Sequence, residues 1–397
     1  MMTRMSDNAR GHLAKARGRP ENSARRRLLE GGALLAAGGL ASAVAKAAAA
    51  ASAETAGKLP APAVQTAPRV ELRMVTSWPK NMPGPGQAAE RLAREVARIT
   101  GGRLRIRVHS AGELVAPLAV FDAVQNGTAE MAHTASLFWA GKMPAAPLFT
   151  AGPFGLLPHE HRAWLEQGGG QALWERLYAD FGIRPLLVGN TGPSMGGWFR
   201  RPVRSAEDLK GLKMRMPGLG GRILEQLGGT PVTLPPGEIL PALQAGTIDA
   251  TEFLGPFSDM AMGFYKVARY YLYPAFHEPN GAGELLVAAS VWRQLDDGLR
   301  AALVHVCAAE AARTLAEHDW RNAEAIRRLK EEHGVKVVPW PADVLAAARR
   351  ISREVYAELA GRDSLTRAVV ESFLAARDHL DAWAAPSRHA YLGARLV

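Results

Sequence analysis

Between residues 70 and 109 the hydrophobic pattern changes period twice, and few folds accommodate that order. Val70, Leu72 and Met74 alternate with Glu71 and Arg73. Residues 103–109 alternate again, with Leu104, Ile106 and Val108 on one face and Arg103, Arg105, Arg107 and His109 on the other. That is the two-residue period of half-buried strands. Over residues 87–99, Leu92, Val96 and Ile99 fall on one helical stripe, closed by Gly101 and Gly102. Two strands joined through a helix make a β–α–β unit. Further helices are expected at 118–126, 219–228, 237–245 and 297–333. Strands are expected at 130–133, 186–188, 212–216, 232–234, 247–253 and 284–289. The alternation predicts an α/β fold with largely parallel sheets. From residue 341 the pattern turns helical: Val344, Ala348, Ile351, Val355 and Leu359 form one stripe. Leu365, Val369, Phe373, Leu380 and Trp383 form another, with Ser364 as N-cap. These helices either pack on the chain's own lobes or form a dimerisation arm.

At 397 residues the chain is long enough for two packed lobes. Its net charge of +10 raises the question of nucleic acid. Residues 1–50 carry nine Lys/Arg against three Asp/Glu, whereas the remainder carries 39 against 35. The basic excess is mostly leader, and a nucleic-acid partner is not expected. Arg25 and Arg26 precede an apolar run at 31–45, fifteen residues of Ala, Gly, Leu, Val and Ser. A bilayer span needs about 20 apolar residues, so the run reads as a signal peptide of the twin-arginine type. The expected organisation is signal peptide and linker at 1–53, flexible linker at 54–68, a first lobe mainly at 69–190 and a second mainly at 191–290. Residues 291–340 return to the first lobe through a connecting helix, and 341–397 hold the C-terminal helices. The mature protein is expected in the periplasm.

Several chemistries fall away. The single Cys307 excludes a disulfide, a Cys-rich zinc site and a c-type haem, and it lies in an amphipathic helix as a buried small hydrophobe. Gly84-Pro85-Gly86-Gln87-Ala88-Ala89 fits a dinucleotide fingerprint, but Trp78-Pro79-Lys80-Asn81-Met82-Pro83 intervenes after its strand and no acidic residue follows at the required distance. His159, Glu160 and His161 lack zincin spacing and read as a solvated helix start. No nucleophile elbow or paired-carboxylate signature appears. A periplasmic cofactor-dependent enzyme on an α/β scaffold is the competing class, and it lacks its catalytic residues.

Two residues point to ligand chemistry. Arg215 ends an expected strand and runs into Pro217-Gly218-Leu219-Gly220-Gly221. Ligand crevices lie beyond the carboxyl ends of strands, and a guanidinium there suits a carboxylate. The alternative is a surface arginine. Glu252 shares an expected strand face with Ile248 and Ala250, so its charge needs a cationic partner: Arg215, a metal ion or a cationic ligand. Phe253, with Phe138, Trp139 and Trp198, supplies either apolar walls or core.

Six motifs then occur in order. They are Thr76-Ser77-Trp78-Pro79-Lys80-Asn81, the run 121–128, His133-Thr134-Ala135-Ser136, the pair Gly189-Asn190-Thr191-Gly192 and Met195-Gly196-Gly197-Trp198-Phe199, the run 209–215, and the run 246–252. Over residues 70–385 they resemble the solute receptors of tripartite ATP-independent periplasmic (TRAP) transporters, within the subgroup for 2-oxo acids and related monocarboxylates. The resemblance implies a two-lobed clamshell with long C-terminal helices, no catalysis, and delivery of a small organic acid to the small and large membrane subunits. It implies Arg215 on the ligand carboxylate, and Glu252 with Phe253 and the residue at position 194 around a sodium or calcium ion. Trp78, Phe138, Asn190 and Ser194 complete the expected ligand set, and a homodimer forms through the C-terminal helices. The chain departs from the subgroup where Ser194 replaces a glutamine, where Leu137-Phe138-Trp139 replaces Tyr-Tyr-Trp, and where Phe253 replaces a common tryptophan. Both of the first two changes remove polar contacts, which suits a bulkier or more apolar acid.

Overall fold

The computed structural model describes residues 69–396, so the expected signal peptide and linker lie outside the described residues. The chain runs through β1 (Val70–Thr76), α1 (Pro85–Ile99), β2 (Leu104–His109), α2 (Val120–Gln125), β3 (Met131–Thr134), α3 (Pro158–Gln167), α4 (Gly170–Ala179) and β4 (Ile183–Asn190). It continues through β5 (Gly197–Phe199), β6 (Lys213–Arg215), α5 (Gly218–Gln226), β7 (Thr230–Val232), α6 (Pro236–Ala245), β8 (Ala250–Thr251), α7 (Pro256–Met262) and β9 (Tyr270–Tyr273). It ends with β10 (Ala282–Ala288), α8 (Ala289–Gln294), α9 (Asp297–Glu331), β11 (Lys336–Pro339), α10 (Ala342–Ala360), α11 (Ser364–Ala384) and α12 (Ala390–Arg395).

These strands form two sheets, ordered β2-β1-β3-β10-β4 and β11-β9-β5-β8-β6-β7. The basic alternation at 103–109 has a direct cause: β2 is an edge strand whose Arg105 and Arg107 face outward while Leu104 and Ile106 pack under α1. The expected stripe on α1 holds for Leu92 and Val96, but Ile99 is exposed because the helix ends there and turns away at Gly101. The sheets are mixed rather than largely parallel. β10 runs antiparallel to both β3 and β4, and β5 runs antiparallel to β8 and β9. β10, within the segment expected mainly in the second lobe, returns to the first sheet, and β11 joins the second.

The chain therefore crosses between the sheets after β4, after β9 and again through α9. The first two crossings are tied together. Thr191 N donates to Gly281 O at 3.0 Å and Ser194 N to Glu278 O at 3.1 Å. Asn190 Nδ2 donates to Asn280 Oδ1 at 2.8 Å. Gly281 is required at this pairing, since a Cβ there would sit 2.0 Å from Thr191 Oγ1. The long α9 starts on Asp296, whose carboxylate accepts from Leu299 N, and packs on β4 and α1 at one end and α7 at the other. Between the halves, Ser258 Oγ donates to Pro83 O at 3.2 Å.

α10 buries its whole expected stripe against the rest of the chain. α11 is capped by Asp363, not Ser364: the Asp363 carboxylate accepts from both N and Oγ1 of Thr366, leaving Ser364 as the first helical residue. Val369 and Phe373 are buried, yet Trp383 is 63% exposed. The His159–His161 segment also differs from expectation. His161 and Glu160 are buried within α3, and burial pulls the His161 imidazole down to about 4. Cys307 is buried as expected. Among the described residues no helix is long and apolar enough to cross a membrane.

Glu284 of β10 lies in the core and accepts from Trp139 Nε1 and Tyr178 Oη. Burial pushes its carboxyl up to about 8, against about 4.3 in an unfolded chain. The folded state then holds a proton that the unfolded chain has lost. Its contribution is complete below about pH 4 and disappears as the pH rises through about 8. Glu284→Gln should flatten the decline in melting temperature between about pH 5 and 8; an unchanged slope would show the carboxyl already ionised.

Candidate functional site

A cleft with about 560 Å³ of unfilled space, part of it continuous with solvent, opens where the carboxyl ends of β1, β3 and β4 meet those of β6 and β8. Its floor is the paired crossings: Asn190 and Thr191 from one, Glu278 and Gly281 from the other. Its walls are largely apolar, formed by Trp78, Leu137, Phe138, Phe253 and Leu254. Trp78 and Phe138 contact each other with ring centroids 6.3 Å apart.

Arg215 is the cationic side chain in this lining. β6 pairs with β8 so that Arg215 lies opposite Thr251, and the strand ends at the cleft. The guanidinium is 3% exposed, which excludes the surface alternative. Its Nε donates to Leu234 O at 3.3 Å, and its Nη1 donates to Glu252 O at 3.1 Å and to the Glu252 carboxylate. Its Nη2 bonds to no protein atom among the described residues, so part of the fork is free for a ligand oxygen. Phe253 lies beneath the guanidinium, 5.6 Å from ring centroid to Cζ.

Glu252 has the partner that its burial demands, and the partner is Arg215. The expected strand at 247–253 shrinks to Ala250–Thr251, so Glu252 and Phe253 project from its end. His277 Nε2 approaches the second Glu252 oxygen at 3.2 Å. Beside it, Glu278 accepts from Ser194 Oγ at 3.1 Å. Burial, reinforced by the neighbouring Glu252 charge, holds the Glu278 carboxyl well above the usual carboxylate range. One guanidinium thus faces two buried carboxyls. Donor atoms of Glu252, His277 and Glu278 lie within 4.8 Å of one another. Two carboxyls this close together are a donor set of the kind hard cations take, and a cation held there would draw the proton off Glu278.

The expected site residues divide into two groups. Trp78, Phe138, Asn190, Arg215 and Phe253 line the cleft. Glu252 and Ser194 stand one bond behind it, Glu252 on Arg215 and Ser194 on Glu278. The Asn190 amide is largely committed, with its Oδ1 accepting from Gly192 N and its Nδ2 donating to Asn280. Trp139 and Trp198 are core residues, not walls: Trp198 stacks on Tyr271 at 3.9 Å and donates to Asp259. Sequence reasoning missed Glu278, His277 and His133. The first two sit in the irregular run Pro274-Ala275-Phe276-His277-Glu278-Pro279-Asn280, where no period marks which side chains are buried. His133 was visible within a motif but carried no sign of its role.

Comparison with known proteins agrees with this geometry. The model for bacterial extracellular solute-binding proteins of family 7, the DctP family, matches residues 74–363. A monocarboxylate 2-oxoacid-binding periplasmic protein of Nostoc sp. is 42% identical over 317 residues, covering 80% of this chain and 86% of the relative. A TRAP solute-binding protein of Bordetella bronchiseptica, solved as a mixed-occupancy dimer with copurified calcium and picolinate, superposes with a TM-score of 0.81. It is 36% identical, covering 83% of this chain and 98% of that one. A counterpart from Pseudoalteromonas atlantica with bound sodium and pyruvate gives a TM-score of 0.79 at 36% identity, covering 82% and 99%. These relatives are periplasmic receptors rather than enzymes. The chain belongs to the DctP family of TRAP-transporter solute-binding proteins.

Proposed function

We propose that this receptor captures a small monocarboxylate bearing a 2-oxo or 2-hydroxy group, together with a cation, and delivers the acid to the TRAP membrane subunits. The observation that carries the reading is the buried Arg215 at the end of β6, whose Nη2 has no partner among the described residues, in a cleft with largely apolar walls. A guanidinium in that position holds one carboxylate well and gives a second one no partner. The relatives that bind 2-oxo acids, and the neighbours carrying calcium or sodium with picolinate or pyruvate, support the same assignment. Export by the twin-arginine route is supported by Arg25, Arg26 and the apolar run at 31–45.

Arg215→Ala removes a positive charge from a buried pair, so it would strand Glu252 and cost about 3–5 kcal/mol of stability besides affinity. Arg215→Lys is the better test, because it keeps a charge beside Glu252 and loses the fork. Calorimetry should show monocarboxylate affinity reduced by at least about tenfold, with the melting temperature of the empty protein changed little by comparison. Unchanged affinity would place the carboxylate elsewhere.

Glu252, Glu278 and the Phe253 carbonyl would hold the cation, which supplies positive charge beside the ligand's oxygens. Ser194 is too short to replace glutamine as a direct ligand, and instead its hydroxyl orients Glu278. With a bound carboxylate, and with Glu278 ionised by the cation, the site would hold three negative groups against Arg215. A divalent ion balances that excess and a monovalent ion does not, so calcium is favoured over sodium. Glu278→Gln removes one charge and should narrow the calcium-over-sodium preference by about tenfold or more in a thermal-shift titration. An unaltered preference would exclude Glu278 from the cation site.

A homodimer is supported by the exposed Trp383, Tyr391 and Leu396 at the C-terminal end, with exposures of 63, 65 and 77%. Paired Trp383→Asp and Tyr391→Asp substitutions, both at solvent-facing positions, should convert a dimer to a monomer in light scattering. A monomeric parent protein, or a dimer that persists in the variant, would contradict this assembly.

A further inference from the structure

His133 occupies the penultimate position of β3, between Thr76 of β1 and Leu285 of β10. Strand alternation puts it on the same face as Met131, which packs in the core beneath α1. The first turn of α1, with Pro85 and Ala88, lines the same cleft as His133. The imidazole is 1% exposed, and Trp78 Nε1–H donates to its Nδ1 at 2.8 Å. Nδ1 must therefore carry a lone pair, and the ring proton resides on Nε2. Nε2 is buried and has no hydrogen-bond partner among the described residues. Burial, with Arg91 nearby, lowers the imidazole to about 4, so it remains neutral at ordinary pH.

A buried N–H without a partner is costly, and native structures leave few of them without a reason. Here the donor belongs to a residue lining the ligand cleft, and its tautomer is locked by a second lining residue. We infer that His133 is a specificity-determining residue whose Nε2–H hydrogen-bonds a neutral acceptor on the ligand, one that the Arg215 clamp does not hold. A neutral donor cannot offset the charge of a second buried carboxylate, which favours an oxo, hydroxyl or ring-nitrogen acceptor. Trp78 acts as a positioning residue, because without its N–H the imidazole could present either nitrogen. The inference rests on the carboxylate reading of the cleft and adds a second point of recognition to it.

The test uses matched acids with and without an oxo group: 2-oxobutanoate against butanoate, and 4-oxopentanoate against pentanoate. Calorimetry is run on the parent protein, on His133→Phe and on His133→Gln, whose amide can still accept from Trp78 and donate onward. The parent should prefer at least one oxo acid over its match by about tenfold, the value of one buried neutral hydrogen bond. In His133→Phe that ratio should fall towards one while the affinity for the plain acids changes little, and His133→Gln should restore part of it. The parent's ratio should also stay flat between about pH 5.5 and 8, since His133 does not titrate there. A ratio unchanged in His133→Phe, an equal loss for all four acids, or no preference in the parent would overturn the inference while leaving the Arg215 clamp intact. Failure of the parent to bind any of the four acids would overturn the carboxylate reading as well.

Discussion

The site depends on one guanidinium buried among two carboxyls. Arg215 is 3% exposed, and Glu252 beside it is 1% exposed. Taking those charges out of water costs several kcal/mol each, so the pair persists only because three hydrogen bonds to Arg215 and the approach of His277 fix its geometry. Glu278 then adds a second buried carboxyl that has only a serine hydroxyl to satisfy it. In the proposed reading, a cation arriving with the acid would ionise Glu278, and acid, cation and the two carboxyls would then balance around Arg215.

This arrangement sits where the two halves of the molecule join. The crossings after β4 and β9 bond to each other through Thr191, Ser194, Asn190 and Asn280, and they supply Glu278 and Ser194 to the site. Arg215, Glu252 and Phe253 come from the second sheet, while Trp78, His133 and Phe138 come from the first half. A ligand held between Arg215 and Phe253 on one side and Trp78, His133 and Phe138 on the other bridges the halves, so its contact energy is also closure energy. That coupling of binding to shape is what a receptor needs in order to signal occupancy to a membrane partner.

Legibility in the sequence followed the physical distinctness of each pattern. Residues 103–109 were legible because an edge strand keeps one polar face, and the α10 stripe because a long helix on a core repeats cleanly. Tyr270–Tyr273 and Lys336–Pro339 were not, since short strands of this kind carry too few alternations to stand out. The parallel expectation failed because β10 and β5 run backwards between the sheets, a consequence of chain crossings that local period does not record. Arg215 was legible from its place between a strand and a glycine loop. Glu278 was hidden in an aperiodic segment, and the role of His133 depends on a hydrogen bond from a residue 55 positions away.

The central claim is that acid and cation complete one charge set, and reciprocal linkage measures it directly. Pyruvate would be titrated calorimetrically into refolded, cargo-free protein stripped of metal, and again in saturating calcium. Calcium would then be titrated with and without pyruvate. Calcium should tighten pyruvate binding by at least about tenfold, and pyruvate should tighten calcium binding by the same factor. Equal pyruvate affinity in both conditions would mean that Arg215 alone satisfies the ligand and that the surplus carboxyl has another purpose.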